Sequence, residues 1–117
     1  MRILNRSRNT VIAEVVKVAD SFGSRMTGLL KHRSLPAGTG LLITHCNSIH
    51  MFFMKFAIDV IFADGNDRVV GVVRAIRPFR LSPIFWKARY VIELPVGTID
   101  GSKTSAGDQL MLERQAP

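Results

Sequence analysis

Three observations predict a mainly β domain of the α+β class. Short runs rich in β-branched and apolar residues recur along the chain, clusters of Gly, Pro, Asn and Asp divide them, and a single helical stripe interrupts the series. The 117 residues suit one domain, 1–117, and are too few for two ordinary ones. Hydrophobic residues at 47% supply enough apolar surface to offset chain entropy, which excludes intrinsic disorder. Sequential strands joined by turns predict antiparallel pairing. The expected architecture is one compact antiparallel sheet or a partly closed β-barrel, with one or two short helices and a core over about residues 10–113.

Each element has its own reason. Thr10–Ala19 is β-branched and reads as one strand. Asp20 can cap a following helix, in which Phe22, Met26, Leu29 and Leu30 form the apolar stripe. Gly23 and Gly28 weaken that helix by ~1 kcal/mol each, so packing must hold it. Leu35–Gly40 is a loop by its Pro and Gly content, and Leu41–Ile43 a brief buried strand. Thr44–Ile49 has no period and predicts a turn or bulged segment. Ala57–Ala63 is apolar on both faces, which predicts a central strand. Asp64–Asp67 is a tight hairpin turn, and Arg68–Ile76 its return strand. Pro78 and Pro83 bracket an irregular loop, Tyr90–Leu94 is a further strand, and Gln109–Glu113 the last.

Composition narrows the function classes. One cysteine excludes an internal disulfide framework and a Cys-rich zinc module. The longest nearly apolar run, 51–63, is broken by Lys55 and Asp59 and falls well short of the ~20 residues of a spanning helix. No apolar signal-peptide core follows Met1, so the expectation is a soluble, cytoplasmic protein. Sixteen Lys and Arg against nine Asp and Glu give a net charge of +7, which points to polyanionic neighbours. The charge is uneven. No acid occurs between Asp67 and Glu93, whereas Arg68, Arg74, Arg77, Arg80, Lys87 and Arg89 all fall there.

Three constellations could carry chemistry. Cys46 and His50, four residues apart with Ser48 between, would share one face of an extended segment. An imidazole beside a thiol could make a nucleophile and its base, or together with His45 a zinc or copper site. The plainer reading is a small buried thiol and a hydrogen-bonded histidine, and His32 is too remote to complete a ligand set. Asp59 lies inside an apolar strand, where a carboxylate must find donors or neutralise. It is either a ligand anchor or a structural acceptor, and Asp59→Leu should then cost ~1–3 kcal/mol. The stretch 68–92 interleaves Phe79, Phe85, Trp86 and Tyr90 with its cations, a pattern that suits weak binding of single-stranded nucleic acid or an anionic surface at low salt. Phosphate-binding, dinucleotide-binding and zincin motifs are all missing, and neither a cofactor nor a metal is expected.

Several blocks together carry a family resemblance. Gly28-Leu29-Leu30, Arg33-Ser34-Leu35-Pro36 and Gly40-Leu41-Leu42-Ile43 come first, then Cys46-Asn47-Ser48-Ile49-His50, Met54, Phe56 and Ile58–Asp64. Glu93-Leu94-Pro95-Val96-Gly97 and Gly107-Asp108 close the series. In this order the chain resembles the domain-of-unknown-function 192 family from about Ala19 to about Leu112. It departs from the family pattern at Ala57, where Pro is usual, and at Met51-Phe52-Phe53, where Thr-Phe-Gly is commoner. The resemblance implies a small, mainly β domain without an established activity, so no catalytic role is carried over. The positions that match the signature are Arg25, Gly28, Cys46, His50, Met54, Asp59 and Asp108.

The expected function is a non-catalytic module that binds a small ligand or a protein partner in a cleft. Segment Thr44–Lys55 would form that cleft over the central strand, lined by His50, Met54 and Asp59, with Cys46, Arg25 and Asp108 as further binding candidates. One alternative is an enzyme with Cys46 as nucleophile and His50 as base. The other is a weak polyanion binder acting through 68–92.

Overall fold

A computed structural model of the chain describes residues 1–20, 34–51 and 54–114. The described residues contain eight strands: β1 (Arg2–Asn5), β2 (Thr10–Ala13), β3 (Val15–Ala19), β4 (Thr39–Thr44), β5 (Ile58–Ala63), β6 (Val69–Ile76), β7 (Tyr90–Leu94) and β8 (Leu110–Glu113). One short helix, α1 (Thr98–Ser102), joins β7 to β8. The mainly β class agrees with the pattern of short apolar runs. The predicted helix with its Phe22–Leu30 stripe, and with it Arg25, Gly28 and His32, lies outside the described residues.

The strands form two sheets rather than one, in the orders β2-β1-β8 and β3-β4-β7-β5-β6. The run Thr10–Ala19 supplies a strand to each. At Glu14 the chain leaves the first sheet, and the Gly38 carbonyl accepts from both the Glu14 and Val15 amides at 2.8 and 3.1 Å. That shared acceptor fixes the turn that a reading by β-propensity alone runs straight through. Pairing is antiparallel throughout, except that β3 and β4 are parallel. A parallel pair needs a long crossover, and residues 20–38 provide it. The strand at 58–63 is flanked on both sides, as expected of an all-apolar run, although β7 occupies the middle of the five.

The sheets curl towards each other without closing a barrel. Arg68 pairs with Gln109, and the Val69 amide donates to the Asp108 carbonyl at 2.9 Å, which links β6 to β8. The Val16 amide donates to the Met1 carbonyl at 2.8 Å and links the other margin. Every strand sends side chains into the space between, including Ile3, Ile12, Val16, Leu42, Ile61, Val69, Ile92 and Leu110, and Ile99 of α1 joins them. The opposite face of the five-stranded sheet carries a second core of Ile43, Ile58, Val60, Phe62, Ile76 and Val91. Ile49, Met51 and Met54 pack on it from the segment after β4. The alternation of β5 makes both cores possible. Ile58, Val60 and Phe62 point one way, Ile61 and Ala63 the other.

Two neighbouring polar clusters fasten the β5–β6 turn and the approach to β8. Tyr90 donates its hydroxyl to Asp67 Oδ1 at 2.9 Å, which ties β7 to the β5–β6 turn. Burial, then the hydrogen bond and negative charge of Asp67 and the charge of Asp64, pushes the phenol far above its ordinary range. Close by, across the Arg68–Gln109 bridge, buried Asp108 accepts from Asn5 Nδ2 at 3.0 Å, Arg8 Nε at 3.1 Å and the Ser105 amide at 3.0 Å. Burial alone would raise this carboxyl, but the donors from Asn5, Ser105 and Arg8 outweigh it and hold it below the usual value of 3.8. Because the folded-state pKa is depressed, the stabilisation is present above the unfolded value and lost as pH falls through the folded one. Asp108→Asn should therefore lower stability by about 1–3 kcal/mol at pH 7. Its deficit relative to the parent should shrink below pH about 4, as acid melting curves of both proteins will show.

Candidate functional site

The sequence after β4 is too irregular for a strand, and backbone groups of residues 46–51 are met by a second loop instead. Residues 46–51 lie antiparallel to the Pro-bracketed loop after β6. The Cys46 amide donates to the Arg89 carbonyl at 3.3 Å and the Met51 amide to the Arg80 carbonyl at 2.8 Å. In return the Phe79 amide donates to Met51 at 2.8 Å, Ser82 to Ile49 at 3.0 Å and Phe85 to Asn47 at 2.9 Å. Ser82 Oγ accepts from the Ile49 amide at 2.8 Å, and His50 pairs with Leu81. Prolines at 78 and 83 suit this arrangement, because each lacks an amide that would otherwise need an acceptor.

Phe85 anchors the double loop to the sheet. Its ring lies 4.3 Å from that of Phe62, tilted by 34°, and sits against Gly71 of β6. A side chain at position 71 would occupy the space of that ring, so glycine is required there by close approach. The outer side of the loop is of opposite character. Trp86 is 79% exposed, Leu81 68%, Phe79 66% and Ile84 49%. Phe79 holds a left-handed backbone conformation with φ 66°, uncommon for a bulky residue. Arg77, Arg80, Lys87 and Arg89 are exposed too, and none forms an ion pair among the described residues. His45 (φ 54°), Cys46, Asn47, Ala88 and Arg89 line a shallow depression of about 230 Å³ where the two loops meet.

The candidate residues from the sequence are divided by this geometry. Cys46 and Met54 pack on the same outer core of the sheet, and His50 lies in the segment between them. The Cys46 thiol donates to the Ser48 carbonyl at 3.0 Å, a bond made by the neutral thiol. Asp59 belongs elsewhere. It points from β5 to the opposite face, where Oδ1 accepts from the Ala75 amide at 2.8 Å and Oδ2 from Gly97 and Ile99, each at 3.0 Å. The expected wall of His50, Met54 and Asp59 is thus split by the thickness of the sheet, because the pleat of β5 turns Asp59 towards α1. Asp108 sits in the polar cluster beside β1. Among the described residues no three His, Cys, Asp or Glu side chains converge as a metal site.

Sequence reasoning passed over Glu93 as a residue in its own right. It is fully buried in β7, level with Leu41 on one side and Val60 on the other. A carboxylate inside the apolar run Tyr90–Leu94 carries the same signal that singled out Asp59. The outward aromatics were visible as types, but nothing in their spacing separates Phe85, which anchors, from Phe79 and Trp86, which do not.

Comparison with known proteins settles the lineage. A profile of DUF192, described as an uncharacterized ACR family, matches residues 3–112. The chain belongs to this family. A UPF0127 protein of Pyrococcus horikoshii is 40% identical over 92% of this chain and 96% of its own. DUF192 architecture also recurs in more distant solved structures. A protein of unknown function from Novosphingobium aromaticivorans superposes with a TM-score of 0.78 at 17% identity, over 95% of this chain and 82% of its own. A Sinorhizobium meliloti chain gives 0.77 at 20%, over 94% and 89%. At such identities these two matches speak for the fold alone. No helix among the described residues of this DUF192 protein is long and apolar enough to cross a membrane.

Proposed function

We propose that the protein is a non-catalytic binding module for anionic partners, and that its binding face is the double loop of residues 45–51 and 77–89. The observation that carries the reading is the set of four exposed cations, Arg77, Arg80, Lys87 and Arg89, on one loop pinned by main-chain hydrogen bonds. Fixed cations without internal acids keep their field for an incoming anion, and a loop already ordered loses little entropy on binding. Three further features support a binding role over chemistry. Asp59 and Asp108 spend their acceptor capacity on internal donors, and the Cys46 thiol is tied to a neighbouring carbonyl.

Heparin chromatography tests the face against net charge. The protein should be retained at low salt and elute by about 0.2 M, since counterion release makes such binding steeply salt-dependent. Arg77→Glu/Arg80→Glu/Lys87→Glu should flow through. Arg6→Glu/Lys17→Glu/Arg114→Glu, an equal change of charge at exposed positions elsewhere, should keep most of the retention. Equal loss in both variants would reduce the reading to bulk charge.

A further inference from the structure

The double loop exposes more than cations. Phe79, Leu81, Ile84 and Trp86 are four large apolar side chains, each about half exposed or more, within one loop, whereas the other aromatic rings among the described residues are buried or partly buried. We propose that this loop docks on an anionic lipid surface, its apolar residues entering the interface while Arg77, Arg80, Lys87 and Arg89 meet the headgroups. The proposal rests on the binding face argued above and names its partner.

Charge decides against a second copy of the chain. The loop has no acid between Asp67 and Glu93, and the whole protein carries +7, so two such faces repel. Side-chain chemistry decides against nucleic acid. Single strands are gripped by planar rings that stack on bases, and Leu81 and Ile84 offer none. Aliphatic groups gain by leaving water for acyl chains, Trp favours the headgroup level, and Arg and Lys are attracted by anionic lipid. Loop stiffness completes the argument. The hydrogen bonds to 46–51 and the Phe85 anchor hold the apolar residues outward, and Phe79 keeps a left-handed backbone where glycine would be easier.

Trp86 is the only tryptophan, so its emission reports the loop alone. The test mixes the full chain with vesicles of phosphatidylcholine containing about 30% phosphatidylserine, with pure phosphatidylcholine vesicles, and with a single-stranded oligonucleotide. The expected result is co-sedimentation and a blue shift of Trp86 emission with the anionic vesicles only. Leu81→Ser/Ile84→Ser, which changes exposed aliphatic residues and keeps every cation and ring, should weaken vesicle partitioning about tenfold or more and leave heparin retention unchanged. Absence of anionic-vesicle binding, unchanged partitioning of that variant, or tighter binding to the oligonucleotide than to vesicles would each overturn the proposal. Heparin retention that persists in those cases leaves the anion-binding face standing, whereas loss of both removes it.

Discussion

Asp59→Leu should lower stability by about 3–5 kcal/mol, because it strands three backbone amides at once, that of Ile99 buried and those of Ala75 and Gly97 partly so. The ~1–3 kcal/mol expected of a generic buried carboxylate is too small here. Ala75 is the last residue but one of β6, with φ 48°, and Gly97 (φ 98°) precedes α1, so one side chain fixes two unusual backbone segments. Leucine fills the volume but accepts nothing. Asp59→Asn keeps one oxygen and turns an amide donor against the remaining N–H groups, for an intermediate loss. Thermal melting of the two variants should show a drop of roughly 10 °C or more for Leu and less for Asn. Equal melting of Asp59→Leu and the parent would show that these bonds contribute nothing net.

Gly71→Val should be nearly as damaging, at about 2–4 kcal/mol, since the new side chain and the Phe85 ring compete for the same space. The ring must leave its contact with Phe62, and the double loop loses its anchor. Phe85→Ala should cost about 2–3 kcal/mol on its own. The pair is then diagnostic. In the Phe85→Ala background, Gly71→Val meets an empty site and should cost at least 1 kcal/mol less than in the parent, a coupling read from a double-mutant cycle of melting data. Strict additivity would mean that the valine is accommodated elsewhere. Limited proteolysis adds an independent readout, because cleavage within 77–89 should quicken in either single variant.

Much of the fold was legible because alternation and turn chemistry are local. Asp64-Gly65-Asn66-Asp67 forms the β5–β6 turn as its residue types require, with Asp64 Oδ1 accepting from the Asn66 and Arg68 amides. Asp59 announced its burial by interrupting an apolar strand. What stayed hidden depends on distant partners. Arg2–Asn5 is only four residues long, and it is the middle strand of its sheet because β8, more than a hundred residues away, pairs with it on the side away from β2. The break at Glu14 depends on the Gly38 carbonyl. Helix α1 has five residues, two of them buried, and is held by Asp59 and by Ser102 Oγ donating to the Thr98 carbonyl at 2.7 Å, not by propensity. The site was legible as composition and illegible as orientation. The basic, aromatic loop stood out, yet only tertiary contact determines that Phe85 turns inward and Trp86 outward.

The pairing of β1 with β8 has a consequence for synthesis. Arg2–Asn5 is synthesised about a hundred residues before Leu110–Glu113 and must wait for that strand before its hydrogen bonds to it can form. At about 5–20 residues per second that wait is roughly 5–20 seconds, during which Ile3 and Ile12 lack the Leu110 that covers them in the finished core. The core between the two sheets is therefore completed only once Leu110–Glu113 has been made, and its closure is a late, long-range step of folding.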